Sequence, residues 1–236
     1  PDGYTWLLGV QGALGINPAL YNNLPYDAVK DFDAVTQLTV YGYVLGVHPS
    51  VPAVNTKDLI AYIRARPKQV TYSTSGVGGS NHLAGELFRL MTNLEITPVP
   101  YKGTSLALNG LLAGEVNMIF DTLITSIPLI RSGKVKPIAV TLAGRSSSLK
   151  DVPTLAETGV PGYEFGAWQC IVVPAGTPRD IINRIYGDTR KVLALPDVRV
   201  KLVDQGANEL VGSTPEELAK LIRSEIDKYR ALVKKA

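Results

Sequence analysis

Between Thr56 and Leu142 segments of helical period alternate with short β-branched runs, and this alternation restricts the chain more than any single motif does. Thr56-Lys57-Asp58-Leu59-Ile60-Ala61-Tyr62-Ile63 opens on a capping residue and puts its apolar side chains on one helical face. Residues 69–73 have the β-branched and aromatic content of a strand. Residues 81–92 read as a helix with Leu83, Leu87, Leu90 and Met91 on one side, and Ile96-Thr97-Pro98-Val99-Pro100 as a strand that its prolines assign to an edge. Residues 106–112 form a short helix ended by Gly114, residues 116–120 a buried strand, residues 122–130 a helix and residues 136–142 a strand. Strands joined in this way imply right-handed βαβ units on a parallel sheet, so the class is α/β.

The two ends of the chain read differently. Residues 4–10 and 34–47 are strand-like, separated by the turn-rich stretch from Asn17-Pro18 to Tyr26-Asp27. Beyond residue 172 the pattern is mainly helical, with Thr177-Pro178-Arg179-Asp180 and Thr214-Pro215-Glu216-Glu217 as start signals. The last helix aligns Leu218, Leu221, Ile222, Ile226, Tyr229 and Val233, and no strand follows to cover that stripe. It must return to earlier strands, which we place in the first 47 residues. The expected organisation is a discontinuous first domain, residues 1–47 and 172–236, flanking an inserted βαβ domain, residues 48–171. A chain of 236 residues is long enough for two such domains.

Composition removes several function classes. Hydrophobic residues at 45% and charged residues at 19% describe a globular chain rather than a disordered one. A net charge of +3, evenly scattered, gives no nucleic-acid groove. No apolar run approaches the ~18 residues of a membrane span. The single cysteine, Cys170, cannot form an internal disulfide and reads as a buried small hydrophobe. His48, His82 and Cys170 lack zinc-ligand spacing, so no metal is expected, and no cofactor. Two histidines also leave few ways to build a Ser-His-Asp triad.

The stretch Ser73-Thr74-Ser75-Gly76-Val77-Gly78-Gly79-Ser80-Asn81-His82 is the most informative. It lies between a strand and a helix, is rich in hydroxyls and glycine, and carries no charge. Backbone N–H groups at a helix start beside hydroxyls suit an anion. As a dinucleotide fingerprint it fails, since Asn81 stands where the third glycine belongs; as a nucleophile elbow it fails because His82 replaces a glycine. Pro100-Tyr101-Lys102-Gly103-Thr104-Ser105 and Asp121-Thr122 also follow strands, and parallel strands gather such ends along one rim. A rival from another class is an α/β enzyme that uses this loop for a nucleotide or a phosphorylated substrate.

Several short motifs occur in order along the whole chain. They include Pro1-Asp2-Gly3-Tyr4-Thr5, Ile16-Asn17-Pro18-Ala19-Leu20-Tyr21, Leu24-Pro25-Tyr26-Asp27, Val47-His48-Pro49-Ser50, His82-Leu83-Ala84-Gly85-Glu86-Leu87-Phe88, Val99-Pro100-Tyr101-Lys102-Gly103, Asp151-Val152-Pro153-Thr154, Pro161-Gly162-Tyr163-Glu164 and Pro174-Ala175-Gly176-Thr177-Pro178. Together they resemble the TctC/Bug family of periplasmic solute-binding receptors of tripartite tricarboxylate transporters. The resemblance implies a two-domain Venus-flytrap fold of the type II periplasmic-binding-protein kind, a small carboxylate ligand in an interdomain cleft, a membrane permease as partner, a periplasmic location and no catalysis. Carried over by position, Ser73, Thr74, Ser75, Gly76, Gly79, Ser80, Asn81 and His82 would contact the ligand from one domain and Gln11 and Gly12 from the other, with Tyr101, Asp121 and Thr122 lining the floor. Family members carry a strand, a Gly-rich loop, a helix and a second strand before the Pro-Asp-Gly-Tyr segment, so the resemblance also implies an incomplete first domain.

Overall fold

The computed structural model describes residues 1–21, 23–204, 207 and 209–233. In chain order the elements are β1 (Leu7–Val10), a π-helical turn (Gly12–Ile16), α1 (Asn17–Leu20), β2 (Phe32–Val47), α2 (Thr56–Arg64), β3 (Val70–Thr74), α3 (Ser80–Thr92), β4 (Ile96–Pro100), α4 (Thr104–Leu112) and β5 (Met118–Thr122). Then follow α5 (Leu123–Arg131), β6 (Lys136–Val140), α6 (Leu155–Thr158), β7 (Gly166–Pro174), α7 (Arg179–Ala194), α8 (Pro196–Asp204), β8 (Glu209–Leu210) and α9 (Pro215–Val233).

These elements form two compact units, Pro1–Tyr41 with Ala167–Ala236, and Gly42–Gly166. The chain changes unit earlier than the boundaries at residues 47 and 171 that the sequence suggests. Apolar alternation marks where a strand ends, not where its partner changes. Here β2 stays continuous while it pairs with β8 at Thr39 and Val40 and with β5 from Tyr43 onward.

In the unit of residues 42–166, β3 pairs in parallel with both β4 and β5, with α3 and α4 as the crossovers. The strand β2 enters without a crossover helix and runs antiparallel to β5, Tyr43 opposite Thr122, and to β6. The sheet is therefore mixed, and the parallel wiring expected from the alternation holds for β3, β4 and β5. Helices cover both faces. On one side Tyr72, Phe88, Phe120 and Tyr163 form an aromatic cluster under α3. On the other, Ala107 and Leu111 of α4 pack on Val116, Ile119 and Val135. The apolar face of α5, Leu123 and Ile127, rests on Val44 and Val140.

In the other unit β7 lies between β1 and β2, antiparallel to β1. The whole 42–166 unit separates β1 from β7 in sequence, so the crossover rule that enforces parallel pairing does not govern them. The stripe of α9 is covered as expected, but chiefly from a different place. Leu218, Ile222 and Ile226 meet Trp168, Cys170 and Val172 of β7 and Leu14 of the π-helical turn, with Phe32 and Ala34 of β2 at the margin. Val233 lies outside the described side chains. Cys170 is fully buried, and burial pushes its thiol up to about 12, which leaves it an inert core residue. The start of α9 is fixed by a capping box in which Thr214 N–H donates to Glu217 Oε2 (2.8 Å) and Glu217 N–H donates to Thr214 Oγ1 (3.2 Å).

A close approach of α3 to the sheet in the 42–166 unit depends on Gly85. A Cβ there would stand 2.2 Å from Cε2 of the Tyr72 ring, which is fully buried and anchored by its hydroxyl donating to Glu86 Oε1 (2.8 Å). Gly85→Ala is expected to destabilise the protein by about 1–3 kcal/mol through overpacking, despite the better helix propensity of alanine. Urea unfolding of the two proteins measures this, and an unchanged midpoint would contradict the packing described.

Candidate functional site

The strand β3 stops at Thr74 and α3 starts at Ser80, with Gly79 as its cap residue and no side-chain cap. The five-residue loop between them is organised by a side chain from inside the helix. Asn81, buried at 4% exposure, accepts on Oδ1 from the Ser75 amide (3.1 Å), the Ser75 hydroxyl (2.9 Å) and the His82 amide (3.0 Å). Two of these partners are backbone N–H groups, which can only donate, so the orientation of the amide is fixed by the network. Glycine is required by geometry at Gly76, with φ +131°, and by space at Gly79, where a Cβ would lie 2.8 Å from Ser75 Oγ.

Most of the loop's own donors are committed. Gly76 N–H reaches Thr74 Oγ1 (3.4 Å), Gly79 N–H reaches Gly76 O (3.2 Å), and Gly78 N–H reaches His82 Nδ1 (3.3 Å). The last bond assigns the tautomer: Nδ1 accepts, so the proton sits on Nε2. His82 is half-buried with its ring stacked on Tyr72 at 6.4 Å. Burial lowers its pKa from the ordinary 6.5; Glu86 opposes that shift and Arg89 adds to it.

The expectation from sequence is of unpaired N–H groups at the helix start beside hydroxyls. Among the described residues, the amides of Val77 in the loop and of Ser80 and Asn81 in the first turn of α3 are uncommitted. The latter two stand beside the Ser80 hydroxyl, at the positive end of the helix dipole. That arrangement offers neutral donors to an anion.

The other residues singled out from sequence are distributed around this core. Ser73 shares a sheet face with Val99 and Ile119 and is fully buried, its Oγ without a partner among the described residues. Thr74 is buried and reaches Gly76. Tyr101 is tied to this rim by its amide, which donates to Thr74 O (2.9 Å). Its phenol leaves the rim, lies on Gly110 of α4 and donates to Glu115 Oε2 (2.9 Å). Asp121 is buried at 1% exposure, and its Oδ2 accepts from Thr125 (2.5 Å) and Ser126 (2.8 Å) in the first turn of α5. Burial raises its pKa and these hydroxyls pull it back. Thr122 Oγ1 pairs with Thr125 Oγ1 (2.8 Å).

Gln11 and Gly12 belong to the other unit. The Gln11 amide points into that unit's core, donating to Glu225 Oε2 (2.7 Å) and Tyr229 (3.0 Å). One residue that no motif indicated stands at this rim: Tyr43, buried, its phenol pKa raised chiefly by burial and further by the charge of Asp121, with Ser80 opposing the shift. Only the β2–β5 register, Tyr43 opposite Thr122, brings it there.

Comparison with known proteins adds three findings. Residues 1–236 match the family described as tripartite tricarboxylate transporter family receptor. A protein in the tcbD-tcbE intergenic region of Pseudomonas sp. strain P51 is 33% identical over 98% of this chain and 69% of its own length. Two solved structures are similar. Rpa4515 of R. palustris with adipate has 37% identity and a TM-score of 0.89 over 99% of this chain and 78% of that one. MatC from Rhodopseudomonas palustris with bound malate has 31% identity and a TM-score of 0.83 over 99% of this chain and 80% of that one.

Two outcomes test the geometry of the loop. Asn81→Ala is expected to cost about 1–3 kcal/mol, because three neighbouring donors lose a buried acceptor; denaturant unfolding measures it. The lowered His82 pKa means that the folded state favours neutral imidazole. Its contribution to stability is full above pH 6.5 and is lost as pH falls through the folded value, with protonation of Nδ1 breaking the bond from Gly78. His82→Gln should flatten this part of the pH–stability curve, and an unchanged curve would contradict the tautomer.

Proposed function

The chain belongs to the tripartite tricarboxylate transporter receptor family, a family of solute-binding receptors rather than enzymes, and from that premise we propose that it binds a small dicarboxylate in the periplasm for uptake by a membrane permease. The observation that supports the ligand class is the start of α3, where the Ser80 and Asn81 amides gather beside the Ser80 hydroxyl. Neutral donors at a helix end hold an anion without forming an ion pair that must be desolvated at each binding event. Adipate and malate, named with the two similar structures, are both dicarboxylates and set the size range.

Asp121 fits this reading as a structural group. Its carboxylate is turned to Thr125 and Ser126, and burial raises its pKa while these hydroxyls oppose the shift. Gln11 and Gly12 remain proposed contacts on the family resemblance, with Gly12 the freer of the two: a Cβ there would meet nothing within 4 Å, whereas the Gln11 side chain is engaged with α9. Among the described residues no helix is long and apolar enough to cross a membrane.

Calorimetric titration with adipate, malate, citrate, benzoate and ATP tests the proposal. A dicarboxylate is expected to bind at one site per chain, and Ser80→Ala to weaken it about tenfold, or 1.4 kcal/mol, for the loss of one hydroxyl donor. Binding of ATP in preference to every acid, or an affinity insensitive to Ser80→Ala, would overturn it.

A further inference from the structure

We propose that Glu86 is a positioning residue for the start of α3: through Tyr72 it fixes the His82 imidazole at the angle from which His82 holds the binding loop. The run His82-Leu83-Ala84-Gly85-Glu86-Leu87-Phe88 sets His82 and Glu86 four residues apart, on one face of α3. Tyr72 of β3, fully buried, lies against that face. Its hydroxyl donates to Glu86 Oε1 (2.8 Å) and stands 3.4 Å from the His82 carbonyl oxygen. Glu86 Oε2 accepts from Arg89 Nε (2.8 Å) and Nη2 (2.7 Å). The Tyr72 and His82 rings lie 19° from parallel with centroids 6.4 Å apart, and His82 Nδ1 accepts from the Gly78 amide (3.3 Å). An unbroken series of contacts thus runs from Arg89 through Glu86, Tyr72 and His82 to the loop.

Stability alone does not account for a carboxylate at this place. Glu86 is buried at 6% exposure, and Phe88, Phe120 and Tyr163 already fill the layer around Tyr72. Apolar groups in place of a buried ion pair are often neutral or stabilising. What a carboxylate adds is direction. The phenol has one proton to give and two acceptors within reach, Glu86 and the His82 carbonyl. The bond to the carboxylate is shorter and charge-assisted, so the proton goes to Glu86 and the ring is held toward the second turn of the helix. Burial raises the Tyr72 pKa and Glu86 adds to the rise, so the phenol remains a donor across the neutral range. Arg89 clamps the other carboxylate oxygen and keeps Glu86 from turning away. The imidazole beside that ring then keeps one tilt, with Nδ1 toward Gly78, and the loop that leads to Ser80 keeps one shape.

The inference rests on the reading of the start of α3 as the ligand site, and its test separates the two. Glu86→Gln, Tyr72→Phe, His82→Gln and the double variants that combine either of the first two with His82→Gln are compared with the parent. The chain has two histidines, so imidazole nitrogen spectra give two sets of signals, and the set missing in His82→Gln belongs to His82. In the parent, neutral His82 should carry its proton on Nε2 alone. In Glu86→Gln and in Tyr72→Phe it should become a mixture of tautomers, a change that lost stability by itself does not produce. The Gly78 amide should exchange about tenfold faster in both, with α7 unchanged. Adipate should bind both about tenfold more weakly. Once His82 is glutamine, neither substitution should alter Gly78 exchange or adipate affinity further. A single Nε2–H tautomer retained in both variants, or losses that add to that of His82→Gln, would overturn the inference. If the parent binds no adipate, the functional reading fails, and the tautomer and Gly78 exchange decide the link in the ligand-free protein. Should Glu86→Gln not fold, Tyr72→Phe, which keeps the ring, decides it alone.

Discussion

A single carbonyl oxygen, Asn81 Oδ1, holds the segment on which the site depends. A loop containing Gly76, Gly78 and Gly79 has more backbone freedom to lose on folding than almost any other sequence of its length. Three donors converging on a buried acceptor offset that cost and leave the loop with one shape. The consequence for binding is selective. Most donors inside the loop are used to build it, and those of Ser80 and Asn81 lie in the first turn of α3, where the helix dipole adds to their effect.

The placement of that turn is a matter of packing. Gly85 allows α3 to lie directly on the Tyr72 ring, and the cluster of Tyr72, Phe88, Phe120 and Tyr163 fills the layer below. The helix start is thereby held at the ends of β3 and β5 by aromatic groups that have little room to shift. Asp121 at the end of β5 is held in a comparable way, by hydroxyls of the helix that follows it. On the proposed reading, neutral donors at the start of α3 would meet an anion with hydrogen bonds in place of a counter-ion, while the Asp121 carboxylate is engaged with Thr125 and Ser126.

Much of this was legible from the residues. The elements from α2 to β6 lie within a few residues of where periodicity and punctuation put them, because helix caps, glycines and prolines act locally. The loop at Ser75 to Gly79 stood out for the same reason: no other stretch combines hydroxyls and glycine so densely between a strand and a helix. The less legible features all depend on partners distant in sequence. The direction of β2 and β7, the unit boundaries, the covering of α9 by β7 and the turning of the Tyr101 phenol toward Glu115 follow from which strands pair, and periodicity carries no such information. Tyr43 was hidden for that reason, as one aromatic among many in a long strand.

The sequence by itself determined the α/β class, the discontinuous layout, the family and the uncharged character of the binding loop, since these follow from composition, spacing and residue order. The tertiary structure decided which donors stay free, which polar groups turn inward, and that Tyr43 stands opposite Thr122. Hydrogen bonds are allotted among competing neighbours only once strands are in register and helices are seated, so a donor's availability is a property of the folded chain rather than of the residue that carries it.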